Sequence, residues 1–491
     1  MAAAKKLRIV SVASEVAPYS KTGGLADVAK SLPKALSENG HTVYLITPFY
    51  KFMQQQNLNM VAVPGKATVS VGKTKYSITF NKLQYNRHLT ILFIHNNQLF
   101  GSRSHIYGYP NDNLRFFVFN IATLKLIELL KLRPDVIHCH DWQTGLIPNF
   151  LSKHRNRYPS LKRTATLYTL HNLTYQMGSN WWEVPIKKID PGRGDPTKTA
   201  SQQIANLNFT KRGIVYADLI NTVSERYAEE ITTPELGQGL DRLLRQRKSD
   251  LYGIINGIDY AVNNPAFDNN LPYPFDVSSL SRKKKNKLAL QKKVRLDQNP
   301  DIPLIGVVNR LTEQKGFRLI MESIDVLIRL PLQMVIVGSG FREYIAFFKR
   351  IAKKHPKKIG IYTPFTEELA SLTYAGSDMF LMPSRFEPCG LSQLISLRYG
   401  SVPIVHETGG LSDTVTNFNP RTRKGNGFVF KHYSTADFLI AVARAMENYK
   451  YPSAWEELMR RGMQQTYSWE LPAQKYVQLY ALAKKNKSKR A

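Results

Sequence analysis

The chemistry legible in this sequence sits in one glutamate, a few cations and three glycine-bearing turns. Glu387 opens a turn that continues through Pro388, Cys389, Gly390 and Leu391. Thr408, Gly409, Gly410 and Leu411 form a second turn, and Lys21, Thr22, Gly23, Gly24 and Leu25 a third. Each follows an apolar run and leads into a helical pattern. In a doubly wound sheet such turns lie at the carboxyl ends of strands, where these folds bind ligands. Glycine pairs let backbone N–H groups come close to an anion, and a helix N-terminus favours negative charge. A carboxylate cannot hold phosphate, but it accepts hydrogen bonds from hydroxyls. An anion cradle beside a hydroxyl acceptor points to a sugar nucleotide. Arg310 and Lys315, just past the apolar run 302–308, suit phosphate, since arginine can bind two oxygens at once. Lys21 is a mobile cation within reach of a diphosphate.

The competing reading is ordinary strand-to-helix turns carrying solvated charges. Recurrence argues against it: TGGLADV at 22–28 is echoed by TGGLSDTV at 408–415. Two related halves facing one cleft would require such an echo.

The elements that position these residues follow from periodicity. Buried parallel strands are expected within 7–16, 41–47, 135–140, 164–170 and 217–223, and again within 302–308, 333–340, 359–364 and 378–383. Leu25, Val28, Ala29, Leu32 and Leu36 fall on one helical face, so the first stretch is a βαβ unit. Polar residues just beyond two strand ends, Asp141 with Trp142 and Gln143, and His171 with Asn172, are candidates for the site or satisfied turn residues. Residues 176–205, with Gly, Pro and two tryptophans but no periodicity, read as a long surface insertion. Asn256 lies in a turn near the end of the first domain. Beyond it, helices are expected from about Lys287, over 317–330, and over 476–484 before the chain runs into lysines.

A chain of 491 residues exceeds one core and divides into domains, set at 6–254 and 255–470, with a helix and basic tail at 471–491. No apolar run of about eighteen residues exists, so a membrane partner is not expected. The start lacks a signal-peptide pattern, and Cys139 and Cys389 are the only cysteines, which fits a reducing cytoplasm. The net charge of +31 collects at 282–287, 349–358 and 484–490. These runs lack interleaved aromatics and match no recognition module, so they read as solvated basic surface rather than a nucleic-acid interface.

With these motifs in this order, the sequence resembles the bacterial glycogen synthase and plant starch synthase family over nearly its whole length. The resemblance rests on KTGGLADV at 21–28, HDWQT at 140–144, LHNLTYQ at 170–176, NGID at 256–259, RLTEQKG at 310–316, PSRFEPCGL at 383–391 and TGGLSDTV at 408–415. It implies an α/β chain of two Rossmann-like, doubly wound domains facing a central cleft, the GT-B architecture. It also implies transfer of glucose from ADP-glucose to the non-reducing 4-hydroxyl of an α-1,4-glucan, with retention, no cofactor and no metal. By the same resemblance, Lys21, Gly23 and Gly24 meet the donor's phosphates and sugar, and Arg310 and Lys315 its diphosphate. Glu387 and the backbone of Cys389, Gly390 and Leu391 hold the transferred glucose. His171 lies near the reacting sugar and Asp141 on the acceptor side. Asn256, Thr408, Gly409 and Gly410 complete the donor site, and Phe365 stands against the adenine or packs in the core. The family usually has arginine before the second glycine turn, at or next to the place of His406, where His406 and Glu407 stand here, and Leu236 stands where an aromatic is frequent. A UDP-glucose-using relative and a non-catalytic glucan- or polyanion-binding protein are the alternatives.

Overall fold

The computed structural model of the protein describes residues 6–490. The chain forms two compact units, with the boundary crossed at 256/257 and crossed back at 468/469. The first unit contains β1 (Arg8–Val12), β2 (Thr42–Pro48), β3 (Val61–Ala62), β4 (Ala67–Val71), β5 (Thr74–Asn86), β6 (Leu89–His95), β7 (Val136–His140), β8 (Ala165–Leu170), β9 (Leu219–Thr222) and β10 (Leu251–Gly253). They form one sheet in the order β10-β9-β8-β7-β1-β2-β6-β5-β3, with β4 paired to β5. The strands from β10 to β6 are parallel, and β3, β4 and β5 add an antiparallel edge. β7 and β8 are buried at every position, as expected of strands covered by helices on both faces. The helix Gly24–Glu38 buries Leu25, Val28, Ala29, Leu32 and Leu36, the face expected from periodicity.

The second unit holds β11 (Leu304–Val308), β12 (Gln333–Val337), β13 (Ile359–Tyr362), β14 (Met379–Met382), β15 (Val402–His406) and β16 (Phe428–Phe430). All are parallel, in the order β13-β12-β11-β14-β15-β16. Chain direction across the sheet reverses between β11 and β14, and in the first unit between β1 and β7. Those reversals leave a crevice at the carboxyl ends of the strands. Lys21, Asp141, Arg310 and Glu387 follow these same four strands, while His171 follows β8 and Thr408 follows β15.

Several expectations change. The basic run at 282–287 is not all solvated, because the helix there starts at Ser281 and turns Lys283 and Lys287 inward. Lys283 Nζ donates to the carbonyls of Ala375 (2.8 Å) and Tyr399 (3.1 Å) and to Ser401 Oγ (3.1 Å), beside Tyr374 O at 3.4 Å. These carbonyls end the helices Glu367–Gly376 and Ser392–Arg398, so one ammonium satisfies two helix C-termini, where cations are favoured. Burial pushes this amine down to about 7. Lys287 pairs with Asp378 at 2.6 Å. The helix expected over 317–330 divides into Phe317–Glu322 and Ile324–Leu327. At Ser323 the N–H is shared between the carbonyls of Leu319 and Ile320, which tightens the turn there.

The tail is a continuous helix, Glu470–Arg490, and it packs on the first unit's sheet rather than standing apart. Tyr476 and Tyr480 are fully buried, with Tyr480 Oη 2.9 Å from His138 Nδ1 and Asn221 Nδ2 donating to Tyr476 Oη at 3.1 Å. The insertion at 176–205 is a chain of short 3-10 turns pinned by the buried, two-pronged pair of Arg212 with Asp190 (2.8 Å for each contact). No helix among the described residues is long and apolar enough to cross a membrane.

Replacing Lys283 with methionine leaves those helix-end carbonyls unsatisfied. It should cost about 2–4 kcal/mol of stability. Thermal denaturation should show the loss, while the exposed neighbour Lys284→Met should shift stability by no more than about 0.5 kcal/mol.

Candidate active site

In the second unit, loops after β11, β14 and β15 meet at Glu387. The 310–316 loop reaches β14 through Gly316, which has φ +76; a Cβ there would fall 1.9 Å from the Pro383 carbonyl oxygen. Gln314 O accepts from the Arg385 N–H at 2.9 Å, locking the two loops in register. Lys315 Nζ then lies 2.5 Å from Glu387 Oε2, and Ser384 Oγ donates to the same oxygen at 2.9 Å. Glu387 is 4% exposed, so its charge is compensated where it sits. Arg310, at the mouth of the same loop, is exposed to solvent, while its neighbour Leu311 is fully buried.

The loop after β15 closes from the other side, and here the glycines do something other than expected. Gly410 N–H donates to the Glu387 carbonyl at 3.0 Å. A Cβ on Gly409 would lie 1.9 Å from that oxygen, and one on Gly410 would lie 2.0 Å from Cys389 O. This pair is required by packing against the 387–389 turn, and the Gly410 N–H is spent inside the protein rather than offered to an anion. Thr408 caps a helix of only six residues, Gly409–Thr414; like the first turn it follows a strand and opens a helix, though a much shorter one. Gly390 is left-handed at φ +71, and Gln393 Nε2 donates to the carbonyls of Cys389 (3.1 Å) and Gly390 (2.8 Å). Leu391 precedes the helix Ser392–Arg398. His406 is buried, with Nδ1 2.8 Å from Ser384 O, so it shapes the Glu387 turn. Phe365 is 46% exposed, which removes core packing as its role; its N–H donates to Ser339 Oγ at 3.1 Å, on the loop after β12.

In the first unit the Lys21 turn is tied back to β1 by a residue the sequence motifs did not single out. Glu15, buried past the end of β1, accepts from the Thr22 N–H (2.5 Å) and the Thr22 hydroxyl (2.8 Å) through Oε2. Burial raises its carboxyl to about 7, against the pull of those bonds. Gly23 is extended and a Cβ on it would meet nothing within 4 Å, but its N–H donates to the Glu15 carboxylate rather than standing free for an anion. Lys21 Nζ pairs with Asp27 at 2.8 Å, with side chains 44% and 37% exposed, a contact weak enough to yield to a ligand.

Asp141 and His171 come together at the ends of β7 and β8. Asp141 has φ +58, and its Oδ1 accepts from the His171 N–H at 2.7 Å. Burial raises its carboxyl to about 7 although the His171 and Asn172 N–H groups oppose the rise. His171 Nε2 lies 3.0 Å from His140 Nδ1, and His140 Nε2 lies 3.1 Å from Ser11 Oγ. Burial drives His171 down to about 3, so the ring is neutral. Trp142 leaves the candidate set, since it is buried edge-on against Phe116 (5.1 Å) and Phe209 (5.9 Å); Gln143 is buried as well. Asn256 is buried, and its Oδ1 accepts no hydrogen bond among the described residues. Among those residues no group of three His, Cys, Asp or Glu converges as metal ligands.

Residues 8–246 match the family profile described as starch synthase catalytic domain, and 289–461 match that of glycosyl transferases group 1. The glycogen synthase of Geotalea daltonii is 41% identical over 98% of this chain and 100% of its own. That of Desulforudis audaxviator is 43% identical over 97% and 96%. The chain belongs to the glycogen and starch synthase family. The catalytic domain of Arabidopsis thaliana starch synthase IV, solved with ADP and acarbose, superposes with a TM-score of 0.87 at 33% identity, covering 98% of this chain and 100% of that one. This glycogen and starch synthase relative is therefore a glucosyltransferase with the two Rossmann-like domains of the GT-B class. Glu15 lies outside every quoted motif, and its only sequence signal is its position just past the end of β1; Ser384 and His140 stand inside PSRFEPCGL and HDWQT, but the motif reading does not single them out there.

Glu15 gives a signed test. Its carboxyl rises from 4.5 to about 7 on folding, so folding holds a proton that the unfolded chain releases, and stability falls as pH climbs through that window. Glu15→Gln keeps an acceptor for Thr22 and has no charge to lose. The melting temperature of the variant minus that of the wild type should therefore increase from about pH 4.5 to about pH 8.

Proposed function

We propose that this chain transfers glucose from ADP-glucose to the non-reducing 4-hydroxyl of an α-1,4-glucan, with retention at the anomeric carbon, in the cytoplasm. The observation that carries the reading is the meeting of Lys315, Ser384 and Glu387 at the switch point of the second sheet, with Arg310 exposed on the same loop. A fixed, ionised Glu387 accepts hydroxyls of the transferred glucose. Arg310 and Lys315 take the diphosphate; departure of ADP builds negative charge there, and preplaced cations stabilise it without rearrangement. Lys21, released from Asp27, and the backbone at Gly23 and Gly24 meet the donor's phosphates and sugar. Phe365 offers its exposed ring to the adenine. The backbones of Cys389, Gly390 and Leu391 frame the glucose, and Asn256, Thr408 and Gly409 complete the donor site. Gly410 supports it through Glu387.

Retention through a double displacement would need a carboxylate nucleophile. Glu387 is committed to Lys315 and Ser384, and Asp141 to the His171 N–H. The reaction then runs by same-face attack. The C1–O bond to the diphosphate breaks, the acceptor oxygen bonds C1 through an oxocarbenium-like state, and its proton passes to the departing phosphate oxygen. Neutral His171 stands near the sugar without contributing a competing cation, and Asp141 orders the acceptor side.

Glucose incorporation into glycogen should proceed from ADP-glucose in preference to UDP-glucose. Glu387→Ala, Lys315→Ala and Lys21→Ala should each lower kcat/KM by about 10²–10³-fold. A preference for UDP-glucose would overturn the donor assignment. A glucosyl adduct on Glu387 or Asp141, sought by mass spectrometry of the quenched enzyme, would overturn same-face attack.

A further inference from the structure

Three histidine rings and a serine hydroxyl meet on one face of the first unit's sheet, where the alternation of side chains along its strands brings them. Ser11 of β1 is in register with His138 of β7, and Thr169 of β8 with both His140 of β7 and Asn221 of β9. His140, two residues beyond His138, and His171, two beyond Thr169, continue that face. Burial disfavours the charged form of each ring, so each is neutral and carries one proton on one of its two nitrogens. The partners dictate which nitrogen that is.

For His138 they leave one choice. Thr169 Oγ1 donates to Asn221 Oδ1, so it has only lone pairs to offer His138 Nε2, 2.5 Å away. His138 therefore holds its proton on Nε2, and Nδ1 accepts from the Tyr480 hydroxyl at 2.9 Å. Its ring lies against that of His140, centroids 4.0 Å apart, with both nitrogens already spent. His140 is left with Ser11 and His171: Nε2 lies 3.1 Å from Ser11 Oγ, and Nδ1 lies 3.0 Å from His171 Nε2. A proton on His140 Nε2 would make Ser11 the acceptor, and the buried Ser11 hydrogen would then find no acceptor among the described residues. An unpaired buried donor is a net cost. With the proton on Nδ1, Ser11 donates to His140 Nε2, His140 donates to His171 Nε2, and every group is used. His171 must then hold its own proton on Nδ1, the ring nitrogen that has no partner among the described residues.

We propose that His140, oriented by Ser11, is a positioning residue that fixes His171 as a hydrogen-bond donor toward the reacting sugar. The sugar's place beside His171 comes from the proposed glucan reaction, whereas the proton's place does not depend on it. An Nδ1–H can hold a hydroxyl oxygen, but it has no lone pair with which to take the acceptor's proton. His171 is thereby excluded as a base, and that proton is left to the departing phosphate.

Long-range 1H–15N correlation NMR of the full chain, labelled with 15N-histidine, reads the tautomer without substrate or turnover. The His171 signals are identified by their loss in His171→Gln. His171 should show a protonated Nδ1 and a bare Nε2 at neutral pH; a proton on Nε2 would overturn the assignment, whether or not any His140 variant folds. His140→Leu removes the donor, so His171 should lose its single tautomer. The same variant should lower kcat about tenfold while changing KM for ADP-glucose less than about twofold. In a His171→Leu background, His140→Leu should cost little more, because one residue acts through the other. Fully additive losses, or a His171 tautomer unchanged in His140→Leu, would reduce His140 to a packing residue. The Nδ1–H signature in a protein that transfers no glucose would uphold the assignment and remove the enzymatic reading.

Discussion

The carboxylate of Glu387 is held from two sides, by the Lys315 ammonium and the Ser384 hydroxyl, while its own carbonyl takes the Gly410 N–H. A charge this buried is tolerated only when its partners are in place. Each partner comes from a different loop or a different end of the same loop, so the requirement propagates outward. The loop after β11 must lie against the end of β14, and only glycine at 316 allows that approach. The loop after β15 must press on the 387–389 turn, and Gly409 and Gly410 allow that one. Three adjacent strands of a parallel sheet, ordered around the point where chain direction reverses, are the scaffold that lets one side chain satisfy all of this.

The first unit solves a different problem. Its polar groups at the strand ends are buried in a chain that is satisfied mainly by neutral partners. The Ser11 hydroxyl and the rings of His140 and His171 are joined in a hydrogen-bonded row, and burial keeps His171 uncharged. Asp141 and Glu15 are pushed toward neutrality at the same strand ends. Where the second unit fixes charge, the first lowers it. The second unit presents the cations of Arg310 and Lys315 at its strand ends, and the first a nearly neutral wall.

Support for these walls comes from far along the chain. Tyr480 and Tyr476, near the carboxyl end, bond to His138 and Asn221 under the strands that carry His140 and His171. Lys283 ties off two helices of the second unit at once. Buried hydrogen-bonding groups of this kind are costly to leave unmade, which gives residues remote from the chemistry a strong hold on its geometry.

What the sequence determined by itself was local: which runs are strands, where turns open, which residues stand at strand ends, and the family whose motifs occur in this order. Apolar runs and glycine spacing act over a few residues, so periodicity could locate β1, β7, β8, β11 and β14 and put Lys21, Asp141, His171, Arg310 and Glu387 beyond them. Tertiary structure decided which of those residues touch. It showed that Lys315 pairs with Glu387, that the second glycine pair serves packing while the Gly23 N–H turns to Glu15, and that Trp142 belongs to the core. It turned Lys283 and Lys287 inward from a run that composition alone reads as solvent-facing. It also folded the lysine-rich tail back onto the first sheet. These are outcomes of burial and of partners distant in sequence, and the polarity of a single residue carries no information about whether a partner far along the chain will arrive to satisfy it.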